Sequence, residues 1–128
     1  MNTLLKLSLI GAGGFTGAVL RFLVSSWVQN RSGSIVYPFG TLAVNMIGCL
    51  LIGFMSALAE TRSMFSAEMR SFVLIGLLGA FTTFSTFGNE TLHLIRESRT
   101  ELAMLNVGAQ VVFGTGLVWL GRIAAGLL

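Results

Sequence analysis

GLLGAFTTFSTFG, residues 76–88, decides how this chain folds. Its glycines flank a run of phenylalanine, threonine and serine. Aromatic and β-branched residues are poor helix formers, and flanking glycine makes such a run easier to bend. The run sits inside a longer stretch, 71–89, that contains no Asp, Glu, Lys or Arg. Stretches 32–59 and 102–121 are equally free of charge. Each is long enough to cross a hydrocarbon core, which takes roughly 20 residues of helix. A further apolar segment starts near Leu4 and resumes after Arg21 as FLVSSWV, Phe22–Val28. The expected fold is therefore an all-α membrane protein with four transmembrane helices in a single domain. The spans run over about 4–28, 39–59, 70–95 and 102–126, and the third helix is interrupted near its middle.

Composition supports this class. Of 128 residues, 54% are hydrophobic and only 10% charged, where a soluble domain carries about a quarter charged. No polar mature domain follows the first apolar segment, so a cleaved signal peptide is not expected. The net charge of +3 is scattered over loops and helix ends, which gives no footprint for nucleic acid and no polybasic lipid patch. Cys49 is the single cysteine, which excludes an intrachain disulfide and a cysteine metal cluster. There is one histidine and no aspartate, and no nucleophile–base pair argues for an enzyme.

Sixteen glycines are many for a helical chain. In a bilayer, small residues let helix backbones approach where lipid cannot drive association. Gly13 and Gly17 form a GxxxG pair in the first helix. Gly48 and Gly53 lie in the second, and Gly108, Gly114, Gly116 and Gly121 in the fourth. With four spans, Lys6, Arg62, Arg70 and Arg122 fall on one side, and Arg21, Arg31, Arg96 and Arg99 on the other. An equal division leaves the positive-inside rule nothing to choose between. A chain able to insert both ways needs such balance, and two inverted copies would form an antiparallel dimer. Four short helices alone can hardly enclose a polar path.

Polar groups inside a membrane are functional candidates by default. Thr16, Thr41, Asn45, Asn106, Gln110, Thr115 and Glu90 qualify. A lone Ser or Thr usually bonds the carbonyl one turn back. Asn45 has more hydrogen-bonding capacity to satisfy and reads equally as interhelical glue or as a functional group. Arg21 either snorkels to the interface or draws anions into a watery vestibule. Glu90 is paired or protonated, and His93 sits at the interface near Arg96. The period of three aligns Phe81, Phe84 and Phe87 along one ridge, with Thr82 and Ser85, and Thr83 and Thr86, beside it. Ring edges are positive and hydroxyls donate, so together they suit a small, strongly hydrated anion without the trap of a full charge. A conducting site must bind well enough to dehydrate the ion and weakly enough to release it. Non-helical backbone at this depth persists only where it is buried in protein or lines a cavity, and its freed carbonyls suit a small cation.

GGFTGAVLR (Gly13–Arg21), FGTLAVN (Phe39–Asn45) and GAFTTFSTFGNE (Gly79–Glu90) resemble the Fluc (CrcB) family of fluoride channels, and the likeness covers essentially the whole chain. The resemblance implies a passive, fluoride-selective channel in a bacterial inner membrane that relieves fluoride toxicity. It implies a dual-topology antiparallel homodimer with two pores. Phe84 and Phe87 would turn ring edges to fluoride, Asn45 would be the pore asparagine and Arg21 the vestibule arginine. Gly79 and Thr82 would give backbone carbonyls from both copies to a central, non-transported sodium ion. Thr41, Ser85, Thr86 and Glu90 would fall on the polar track. In the fourth helix Gln110 replaces other polar residues, and Gly114 stands where a pore-lining serine is common. Thr115 points about 100° away from it.

The rival reading is a small multidrug exporter, also of four helices and able to insert both ways. Proton-coupled export wants a buried carboxylate in the first helix, which here holds Arg21 and no acid. A non-transporting assembly subunit would explain the glycines and leave TTFSTF without a purpose.

Overall fold

The computed structural model describes residues 2–61 and 65–128. Helix α1 is Thr3–Ser32 and α2 is Phe39–Thr61. The third span, Ala67–Arg96, consists of α3 (67–81) and α4 (Phe84–Arg96) on either side of a break. Helix α5 is Thr100–Gly126. All four spans are long and apolar enough to cross a membrane, and no strand occurs among the described residues. α1 runs on to Ser32, past the expected end at Val28, where Gly33 closes it at φ 66°, a conformation that suits glycine.

Close backbone contact joins the helices, as small residues permit in lipid. A methyl on Gly13 would collide with the Phe72 carbonyl oxygen of α3, and one on Gly17 with that of Leu77. Gly53 and Gly121 seat α2 and α5 on each other against the carbonyls of Val118 and Leu50. Gly108 and Gly116, by contrast, have open space beside them, so only part of the fourth helix's glycine content packs within one chain. Two segments widen to i→i+5 hydrogen bonding, Arg70–Leu78 in α3 and Ala109–Phe113 in α5. Such π-helical turns are uncommon and often accompany functional sites.

Side chains tie the ends. Gln29 Nε2 donates to the carbonyls of Ser34 (2.5 Å) and Tyr37 (3.1 Å), while its Oε1 accepts the Gly40 amide at 3.0 Å. Gln29 shapes the α1–α2 turn together with the Ser34 hydroxyl, which accepts the Tyr37 amide at 2.9 Å. At the other end Arg122 Nη2 reaches Glu60 Oε2 at 2.6 Å, and Arg70 Nη2 donates to the Ala59 carbonyl at 2.6 Å.

Arg21 lies within α1, inside the span expected for it. It lies eleven residues inside α1 from Ser32, about 16 Å of helix, and its Nη1 donates to the Thr82 carbonyl at 3.4 Å. Arg62, counted above among the charges of one side, lies outside the described residues.

Candidate functional site

The site is built on the break between α3 and α4. Thr82 (φ −89°, ψ 159°) and Thr83 (φ −151°, ψ 114°) are extended, a conformation that β-branched residues accept readily. Asn45 of α2 then pairs with Thr83 as a neighbouring strand would. Its Oδ1 accepts the Thr83 amide at 2.8 Å, and its Nδ2 donates to the Thr83 carbonyl at 3.1 Å. This satisfies the buried polar backbone that the break exposes. Gly48, one turn along α2, meets the Thr82 methyl group so closely that it has no room for a side chain of its own.

Thr83 also starts α4. Its Oγ1 accepts the Thr86 amide at 3.2 Å, an N-cap of the ordinary kind, and lies 2.9 Å from Thr86 Oγ1 and 3.3 Å from Ser85 Oγ. The last helical bond before the break is that from the Thr82 amide to the Leu78 carbonyl, so the carbonyls of residues 79–82 lose their i→i+4 partners, Gly79 and Thr82 among them. The amide that would close on Gly79 is that of Thr83, taken by Asn45. The amide that would close on Thr82 is that of Thr86, taken by the Thr83 hydroxyl.

The break also divides the expected phenylalanine ridge. Phe81 ends α3 and is buried, 5% exposed, whereas Phe84 opens α4 at 81% exposure and Phe87 is again buried at 8%. Only Phe84 and Phe87 form a pair, with ring centroids 5.4 Å apart and planes at 62°. Together with Asn45, Gly79, Thr82 and Gln110 they line a cleft of about 370 Å³. Asn45 Nδ2 donates to Gln110 Oε1 at 3.1 Å, so α2, the break and α5 share one hydrogen-bond network.

A second cleft, of about 660 Å³, opens beside the α1–α2 turn and includes Ser25, Ser26, Gln29, Thr41 and Glu90. There Thr41 Oγ1 donates to Glu90 Oε1 at 2.6 Å. Glu90 Oε2 is buried and has no partner among the described residues. Ser85 and Thr86 lie exposed at the head of α4. Of the expected site residues, Asn45, Gly79, Thr82, Phe84, Phe87 and Gln110 thus line the first cleft and Thr41 and Glu90 the second, while Ser85 and Thr86 line neither and Arg21 reaches the break from α1.

In α5, Thr115 spends its hydroxyl on the Val111 carbonyl at 2.7 Å, and Gly114 packs on Cys49 and Met46. Neither continues a polar line below Gln110. Thr16 likewise bonds its own helix, at the Ala12 carbonyl. Sequence reasoning missed Thr83 as the organising residue, although Thr83-x-x-Thr86 ahead of a helical run is an N-cap signal. It also missed Thr91, whose Oγ1 accepts from Nδ2 of the fully buried Asn106 at 3.0 Å.

Comparison with known proteins places these residues in context. Residues 8–122 match the family model described as CrcB-like protein, Camphor Resistance (CrcB). The chain is 46% identical over 117 residues to fluoride-specific ion channel FluC 1 of Methanosarcina acetivorans, covering 91% of this chain and 88% of that protein. It is 45% identical over 120 residues to the fluoride-specific ion channel FluC of Parabacteroides distasonis, covering 94% and 92%. The protein of the same name from Hydrogenovibrio crunogenus is 44% identical over 117 residues, with 91% and 88% covered.

Proposed function

We infer that this chain, which belongs to the CrcB-like family, is a fluoride-specific ion channel, a multi-pass membrane protein that lets fluoride leave the cytoplasm passively and so limits its toxicity. The observation that carries the reading is the break at Thr82–Thr83, propped by Asn45 and opening into a cleft lined by Phe84, Phe87 and Gln110. Edges of Phe84 and Phe87 meet fluoride with partial positive charge. Ser85 and Thr86 hand it along α4 toward Thr41 and Glu90, and Arg21 raises the local anion concentration.

The working unit is a homodimer of two inverted copies, in the inner (plasma) membrane of a bacterium. What supports it is exposure. Irregular backbone does not face lipid, yet Thr82 and Thr83 at the break are only half-buried and the neighbouring Phe84 is 81% exposed in the single chain. A second copy laid across the break covers all three. The carbonyls of Gly79 and Thr82, released from helical bonding, fit a hard cation that takes oxygen ligands. Doubled by a twofold axis they number four. A structural, non-transported sodium ion there would supply positive charge between the two breaks, with Arg21 Nη1 already beside one of the carbonyls.

Efflux from liposomes containing only this protein tests the reading. Fluoride is expected to leave and chloride to stay; equal efflux of both, or of neither, would reject a fluoride-specific channel.

A further inference from the structure

We propose that in this chain the amide Nε2 of Gln110 is the side-chain donor that meets the permeating anion, and that Asn45 acts as a positioning residue that aims it. The argument rests on the channel reading above and begins from a backbone amide. Thr83 N–H can only donate, so the Asn45 atom 2.8 Å from it is an acceptor, Oδ1. That fixes which way the Asn45 amide faces. Its Nδ2 therefore carries both hydrogens on the opposite side, and both are committed. One goes to the Thr83 carbonyl at 3.1 Å, the other to Gln110 at 3.1 Å.

The second bond fixes Gln110 in turn. The Gln110 atom facing Asn45 accepts, so it is Oε1, and Nε2 is the atom left over. Gln110 Nε2 is buried and has no hydrogen-bond partner among the described residues. A buried donor left unsatisfied costs about 1–3 kcal/mol, and each such group in a native structure calls for an explanation. Gln110 lines the cleft that Phe84 and Phe87 also line. The widened turn Ala109–Phe113 carries the residue, and that local geometry is often found at functional sites. An anion beside the two rings would give Nε2 the partner it lacks. Asn45, with no free hydrogen, has none to offer.

The chain therefore reads as a relay of fixed orientations: backbone amide, Asn45, Gln110, anion. Each member dictates the facing of the next.

The test uses full-length protein in liposomes, with fluoride and chloride efflux measured against protein-free vesicles, and dimer content checked by size exclusion. Gln110→Met removes the donor. Gln110→Glu keeps an acceptor for Asn45 while replacing the donor by an acceptor. Both are expected to slow fluoride roughly tenfold to hundredfold at neutral pH, the worth of one hydrogen bond to an ion. As pH falls, the introduced carboxyl takes a proton and becomes a donor, so Gln110→Glu is expected to recover while Gln110→Met stays slow. A purely structural role for Gln110 predicts instead that the neutral-pH loss of flux in both variants is accompanied by loss of folded dimer on size exclusion, whereas the donor role leaves dimer content unchanged. Wild-type rates from Gln110→Glu at neutral pH, or a slow Gln110→Glu that never recovers, would overturn the proposal and leave the channel reading intact. If Gln110→Met fails to fold, Gln110→Glu carries the test alone. Absence of fluoride efflux from wild-type protein would overturn the channel reading, and this proposal with it.

Discussion

Asn45 holds Thr83 by two hydrogen bonds, of 2.8 and 3.1 Å, between the second span and the gap in the third. A side-chain amide here takes the place of a strand, and it is what allows a helix to stop and restart at the middle of the membrane. Asn45→Asp keeps the acceptor for the Thr83 amide, loses both donors and sets a carboxylate against the Thr83 carbonyl. Fluoride flux is expected to fall at least about tenfold, with about 1–3 kcal/mol of stability lost. Flux assays and thermal unfolding in detergent check this, and unchanged values in both would show that the break does not depend on Asn45.

Phe84 and Phe87 are expected to part company when each is changed to isoleucine. Both variants should slow fluoride, because both remove a ring edge. Only Phe87→Ile should cost the single chain stability, about 1–2 kcal/mol, since Phe87 is buried and Phe84 is 81% exposed. If Phe84→Ile weakens dimerisation as well, its exposed ring is covered by the second copy. Wild-type flux from both would leave the pair with packing alone.

Glycine substitutions separate contacts within the chain from contacts beyond it. Gly53→Ala drives a methyl into the Val118 carbonyl and should destabilise by about 1–3 kcal/mol through overpacking. Gly116→Ala meets nothing within the chain and should lie within about 0.5 kcal/mol of wild type. Gly116→Ala that folds normally yet fails to dimerise would place that face against another copy. A neutral Gly53→Ala would contradict the α2–α5 seam.

Sodium removal addresses the carbonyls of Gly79 and Thr82. Exchanging sodium rigorously for a larger cation is expected to weaken dimerisation or activity, with no sodium flux in either condition. Full activity and an intact dimer after the exchange would remove the cation from the account.

Orientation should respond to few charges. Lysines appended after Leu128 are expected to hold the C-terminus in the cytoplasm and, alone, to lower fluoride resistance in a sensitive host. Lysines added beside Arg31 or Arg99 should bias the chain the other way, and the two variants together should restore resistance. If each is fully active alone, with orientation verified, the inverted pair is wrong.

The helical class and the interruption are legible in the sequence because both depend on local facts. Charge-free runs mark the spans, and a glycine-flanked stretch of aromatic and β-branched residues marks the break. The phenylalanine ridge fails for a related reason. A period of three describes a continuous helix, and two extended threonines reset the phase between Phe81 and Phe84. Position along the chain puts Arg21 inside the first span but does not disclose its partner, a carbonyl sixty-one positions away. Which face of an amide Gln110 presents is a long-range property, set by Thr83 through Asn45, and no pattern within one helix encodes it.

The contact between Asn45 and Thr83 also imposes an order on biogenesis. A chain is made from its N-terminus, so Asn45 is synthesised well before Thr83 emerges. The second span thus waits with an open amide, and the third finds its stopping point already in place. Gln110 comes later still, in the final span. Until it arrives one Asn45 hydrogen has no acceptor, and the arrangement around the break closes only once the fourth span has been made.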